Sequence, residues 1–136
     1  MDRVFLDANV LFSAAYQANP GLLKLWQLRN VTLCSSRYAL EEARINLTEE
    51  TQRLRLLHLA NRLEFFDAAI QDLPPGILLP AKDAPIFLAA IEARATHLLT
   101  GDIRHFGAYF GKKIDGILII TPGDYLRKKT SNEQAL

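Results

Sequence analysis

Two short apolar runs in this chain each end on a carboxylate. Val4-Phe5-Leu6 runs into Asp7-Ala8-Asn9, and far along the chain His97-Leu98-Leu99-Thr100 runs into Gly101-Asp102. Continuous apolar runs of this length fit strands buried on both faces, the habit of parallel sheets. Parallel neighbours finish at the same edge of a sheet, so Asp7 and Asp102 are expected to meet there. In such folds ligands bind outside the carboxyl ends of the strands, where the strand order reverses. Acids brought together repel one another, and a divalent cation is the usual remedy. The pair therefore points to a metal-dependent enzyme acting on phosphate esters.

The rest of the chain supports the same architecture. Val31-Thr32-Leu33-Cys34 and Ile117 to Ile120 read as further strands. Helical spacing is expected over Val10–Tyr16, with Asn9 as cap, and again around Leu22, Leu23 and Trp26 after the Asn19-Pro20-Gly21 turn. Ser35 and Ser36 can cap a helix beginning near Arg37, with Leu40, Ala43 and Leu47 as its apolar stripe. Leu54 to Leu63 reads as another helix, ending near Phe66, and Ile86 to Ala95 as a third with Pro85 in its first turn. Asp72-Leu73-Pro74-Pro75-Gly76 is loop punctuation. Strands alternating with helices predict an α/β fold with a mostly parallel sheet. One domain over residues 1–129 is expected, with a last helical turn at Asp124–Lys129 and a frayed tail at 130–136.

Bulk properties narrow the class. The chain has 136 residues, 49% apolar and 23% charged, as in ordinary globular domains. Cys34 is its single cysteine, which excludes an intrachain disulfide and argues against a cysteine-based zinc site. Neither a signal peptide nor a bilayer-length apolar run is visible, so a cytoplasmic protein is expected. The net charge of +1 does not advertise nucleic-acid binding, but clustered acids would mask basic residues elsewhere. Residues from 101 onward carry a mild basic bias.

Each remaining candidate has a plainer reading beside the functional one. Asp83 precedes a helix and fits its N-cap as well as a ligand. Glu41 and Glu42 fit a solvated helix face near a positive dipole end, and helical phase does not separate them. His105 fits local packing beside Phe106, or a contact to phosphate. Cys34 and Trp26 fit the core. Thr100 and Asn9 fit either turn chemistry or the orientation of acids.

Taken in order, these pieces resemble the PIN-domain nucleases, including the toxin subunits of VapC-like toxin–antitoxin pairs. The matching stretches are Phe5-Leu6-Asp7-Ala8-Asn9-Val10-Leu11, Ser35 through Leu47, Lys82-Asp83-Ala84-Pro85 leading into Ala89-Ala90, and Leu99-Thr100-Gly101-Asp102. Thr121-Pro122-Gly123-Asp124-Tyr125-Leu126 is similar to the family's usual ending. The resemblance implies a three-layer α/β/α sandwich with a mostly parallel central sheet. It puts the family's four acids on Asp7, Glu42, Asp83 and Asp102, as catalytic residues holding Mg²⁺ or Mn²⁺. Glu42 is chosen over Glu41 because Ala43-Arg44 follows it. A further acid often precedes the third one in this family; Pro80-Ala81-Lys82 supplies none here. The implied function is a metal-dependent endoribonuclease with an RNA substrate, an antitoxin protein as partner, and a homodimeric state common in the family. Arg44, Arg104, Lys112 and Lys113 are candidate contacts to the RNA backbone.

Two other readings compete. A haloacid-dehalogenase-like phosphatase also begins with an Asp after its first strand, but it needs a second acid two residues on, where this chain has Asn9. A PIN fold that no longer cuts and only holds RNA or a protein is the third, and the presence of all four acids argues against it.

Overall fold

The protein is described by a computed structural model that covers residues 1–18, 20–69 and 72–135. Six strands form one sheet: β1 (Asp2–Leu6), β2 (Val31–Ser35), β3 (Glu64–Phe65), β4 (His97–Leu99), β5 (Lys113–Ile114) and β6 (Ile117–Ile120). Their order is β3-β2-β1-β4-β6-β5, and every pairing is parallel except β5 with β6. The chain builds outward from β1 to β2 on one side and later adds β4 on the other. The order therefore reverses between β1 and β4. Leu6 lies in register with Leu99 there, and the Asp7 amide donates to the Leu99 carbonyl at 3.1 Å. That pairing brings the polar turns after both strands to one spot.

Among the described residues seven α-helices complete the α/β/α sandwich: α1 (Ala8–Gln17), α2 (Pro20–Leu23), α3 (Arg37–Asn46), α4 (Glu50–Ala60), α5 (Ala84–Glu92), α6 (Ile103–Phe106) and α7 (Pro122–Ala135). The core runs through the strands (Val4, Phe5, Leu6, Leu98, Leu99, Ile119) and the inner faces of α1 and α5, all buried. Trp26 and Cys34 belong to it as expected; the Trp26 indole donates to the Leu59 carbonyl at 3.1 Å.

Several boundaries differ from the sequence expectation. Asp7, not Asn9, caps α1, because its Oδ1 accepts from the Ala8 amide while Asn9 is the second helical residue. The helix expected to end near Phe66 stops at Ala60, and Glu64–Phe65 pairs with β2 instead. Leu54 and Leu57 of this helix are exposed, and Leu56 and Leu59 are buried. The helix expected to reach Ala95 ends at Glu92. The terminal helix starts at Pro122 and continues through Ala135, past the end expected at Lys129. Asn19 and Leu136 lie outside the described residues. Among the described residues no helix is long and apolar enough to cross a membrane.

Candidate active site

The polar turns at the reversal of strand order open into a cleft of about 660 Å³. All four acids singled out in the sequence line it: Asp7 from the end of β1, Glu42 from α3, Asp83 from the turn before α5, and Asp102 after β4. Asn9, Phe12 and Ser13 of α1, Asn46 of α3, and Lys82 complete much of the wall.

Asp7 is 3% exposed and tightly held. Its Oδ1 takes the Ala8 amide at 2.6 Å; its Oδ2 takes the Thr100 hydroxyl at 2.8 Å and the Asn9 amide at 3.0 Å. Asn9 also accepts from the Gly101 amide at 2.8 Å and donates to Thr100 at 3.2 Å. One side chain thus ties the turn after β1 to the turn after β4. Desolvation pushes the Asp7 carboxyl up to about 6; Asp83 and Glu42 add to the rise, while the Thr100 and Ala8 hydrogen bonds resist it.

Asp83 occupies the N-cap position of α5 but makes no capping bond with its side chain, so the plainer reading of this residue fails. It is buried, and its Oδ2 has no hydrogen bond. His105 Nδ1 lies 3.0 Å from that oxygen and 2.8 Å from Asp102 Oδ2. A ring nitrogen carries at most one proton. The hydrogen bond goes to Asp102, which leaves Asp83 facing the imidazole through charge alone. Burial moves the Asp83 carboxyl above its ordinary value, with His105 and Lys82 opposing.

Asp102 accepts the His105 amide on Oδ1 at 3.1 Å and the His105 ring on Oδ2. Burial raises its carboxyl, but these two bonds and the nearby cations outweigh burial and hold it below the ordinary range. The three aspartates are thus driven unequally, Asp7 and Asp83 up and Asp102 down, as in sites built for chemistry.

Glu42 and Glu41 separate cleanly in space. Glu41 is exposed and takes Arg44 on both oxygens, at 2.9 and 2.5 Å, whereas Glu42 lines the cleft. Of the basic candidates, Arg44 is consumed by that pair, and Arg104, Lys112 and Lys113 are exposed and do not line the cleft. Lys82 does, next to the position where no auxiliary acid exists. Sequence reasoning gave Lys82 no contact role; its adjacency to Asp83 was the only available signal. It also underrated His105, whose i,i+3 spacing from Asp102 places the two on one helical turn.

The donor set fits a hard divalent cation. The buried Asp83 Oδ2, which has no hydrogen bond, lies in a cleft that Asp7, Glu42 and Asp102 also line, and one ligand atom each from Asp83, Asp102 and His105 lies within 4.8 Å of the others; Asp7 and Glu42 stand outside that closer group. Oxygen-rich sites of this kind suit Mg²⁺ or Mn²⁺ better than softer metals.

Comparison with known proteins agrees with the fold. The family described as PIN domain matches residues 3–104. A chain of VapBC2 from Rickettsia felis, in a structure bound to a DNA fragment from their promoter, superposes with a TM-score of 0.62 at 18% identity, covering 88% of this chain and 98% of that one. A chain of FitAB bound to an IR36 DNA fragment superposes with a TM-score of 0.50 at 20% identity, covering 88% and 95%. No curated protein matches in sequence. With three quarters of its length under one family match, the chain belongs to the PIN-domain family, whose members are typically nucleases.

Proposed function

We propose that this chain is a Mg²⁺- or Mn²⁺-dependent endoribonuclease that hydrolyses RNA phosphodiester bonds, with Asp7, Glu42, Asp83 and Asp102 as its metal-holding catalytic residues. The observation that carries the reading is the buried Asp83 Oδ2, free of hydrogen bonds in a cleft lined by three other carboxylates. When bound, a divalent cation offsets the clustered negative charge and makes a water acidic enough to supply hydroxide near neutral pH. The chain's own residues prepare for this. Thr100 and Asn9 fix the Asp7 carboxylate in one orientation. His105 fixes Asp102, using both its amide and its ring. A carboxylate oxygen has two acceptor positions, so each held acid keeps capacity for a ligand. Lys82 offers a cation to a phosphate oxygen of the substrate, a contact that positions the strand and reads no sequence.

The same reading includes an antitoxin partner, action as the toxin of a toxin–antitoxin pair in the cytoplasm, and pairing of two copies of the chain. Likeness to chains from the VapBC2 and FitAB structures supports it. The phosphatase alternative is weakened further by Asn9, whose amide is fully engaged in bracing the two turns.

Purified protein should cut structured or single-stranded RNA internally in Mn²⁺ and stop when EDTA is added. Asp102→Asn should bring cleavage to background with the fold retained by circular dichroism. Intact RNA after incubation of the wild type with either metal would overturn the enzymatic reading.

A further inference from the structure

The cleft is larger than its acids need. At about 660 Å³ it lies in the range that takes a whole small molecule, well beyond a hydrated cation and one phosphate. Its surplus lies along the groove between α1 and α3, where Phe12, Ser13 and Asn46 form the wall. The Phe12 ring is only partly buried and stacks on Tyr16 one turn further along α1, with centroids 5.4 Å apart and planes inclined by 24°. Tyr16 is 48% exposed, so the pair forms an aromatic ledge leading out of the acid cleft. Polar groups flank the ledge. The Asn46 amide nitrogen is spent on the Glu42 carbonyl at 2.8 Å, which turns its Oδ1 into a spare acceptor. The Ser13 hydroxyl also lines the cleft and can donate or accept.

We propose that this ledge is a nucleobase subsite: a base next to the scissile phosphate stacks on Phe12, backed by Tyr16, with its edge towards Ser13 and Asn46. The proposal rests on the nuclease reading above. It follows from continuity. A phosphodiester held at the acids has its neighbouring nucleotide within the same cleft, and the apolar wall offered to it there is a ring. Every base has a π-face, and stacking on an aromatic side chain is worth about 1–3 kcal/mol per base. A base paired within a duplex offers no free face, so the subsite selects unpaired nucleotides. Ser13 and Asn46 add a donor–acceptor pair able to prefer one base edge over another.

The test is fluorescence anisotropy with a labelled single-stranded RNA octamer and with an octamer of the same length made of abasic residues, both on the Asp102→Asn background so that the RNA stays intact. Phe12→Leu keeps an apolar side chain in the wall and removes the ring; Phe12→Tyr keeps the ring. Phe12→Leu should weaken binding of the base-bearing octamer roughly tenfold, Phe12→Tyr should restore it, and the abasic octamer should bind all three proteins alike. Tyr16→Ser, at a half-exposed position that cannot unfold the core, should weaken the same octamer less. Equal binding of the base-bearing octamer by Phe12→Leu and its parent overturns the subsite and leaves the nuclease reading standing; it is also the result expected if the ledge takes a protein segment instead. Failure of the parent to bind either octamer, together with failure of the wild type to cut RNA, overturns both.

Discussion

Asp7 is 3% exposed, and burial drives its carboxyl up to about 6 from the 3.8 of a free side chain. The folded state therefore holds this proton more tightly than the unfolded chain does. Stability should be greatest below about pH 4 as far as Asp7 is concerned, and should fall as pH rises through about 6, by on the order of 2–3 kcal/mol in metal-free buffer. Asp7→Asn keeps an oxygen for the Ala8 amide and carries no charge. Its melting temperature at pH 7.5 with EDTA should exceed that of the wild type, and the gap should close at pH 4. A variant that melts lower at both pH values would show that Asp7 serves mainly as a cap. His105 holds both oxygens of Asp102, one through its amide and one through its ring. His105→Ala should weaken Mn²⁺ binding roughly 10–100-fold, the usual cost of removing a hydrogen-bond partner of a metal ligand. Calorimetric titration reads that loss separately from any change in folding. Among the residues themselves, legibility was uneven. Asp7 and Asp102 follow from strand geometry. Asp83 and Glu42 rest on the family resemblance, since on spacing alone a cap and a solvated face were the better readings. What separates Glu42 from Glu41 is the Arg44 contact, a rotamer-level event that helical spacing does not encode.

At the scale of elements, the buried parallel strands were legible because continuous apolar runs have few other uses, and β1, β2, β4 and β6 all sit where those runs lie. The two-residue strands β3 and β5 were not. Glu64–Phe65 continues directly from a helical pattern, and only pairing with β2 makes it a strand. The β5–β6 hairpin did carry a signal: Asp115-Gly116 takes positive φ at both positions, 52° and 79°, as a two-residue primed turn requires. Helix α3, which carries Glu42 and Asn46, depends on its N-cap. The Ser36 hydroxyl accepts from the Ala39 amide at 3.1 Å, and both groups are buried. Ser36→Ala should cost about 1 kcal/mol, read as a melting temperature lower by a few degrees. Ser36→Asp, which restores an acceptor at the cap, should recover part of the loss. Retention of the full melting temperature in Ser36→Ala would mean that packing of α3 against α1 sets the helix start without the cap.

On the scale of the whole molecule, the sheet explains why four acids scattered over a hundred residues can share one cleft. Strand order reverses between β1 and β4, and the turns after both strands, the second half of α3 and the start of α5 all open on that point. The cost is visible as a buried, unbonded Asp83 oxygen and an Asp7 carboxyl that resists ionising. A cation that relieves both should bind the folded state only and stabilise it by mass action, about 2.7 kcal/mol at a hundred times its dissociation constant. Isothermal calorimetry of Mn²⁺ into the metal-free protein, with a parallel thermal melt, measures this directly. Binding should be saturable, the melting temperature should climb with Mn²⁺, and both effects should be lost in Asp83→Asn despite its retained fold. No binding heat and an unchanged melting temperature in millimolar Mn²⁺ would contradict it.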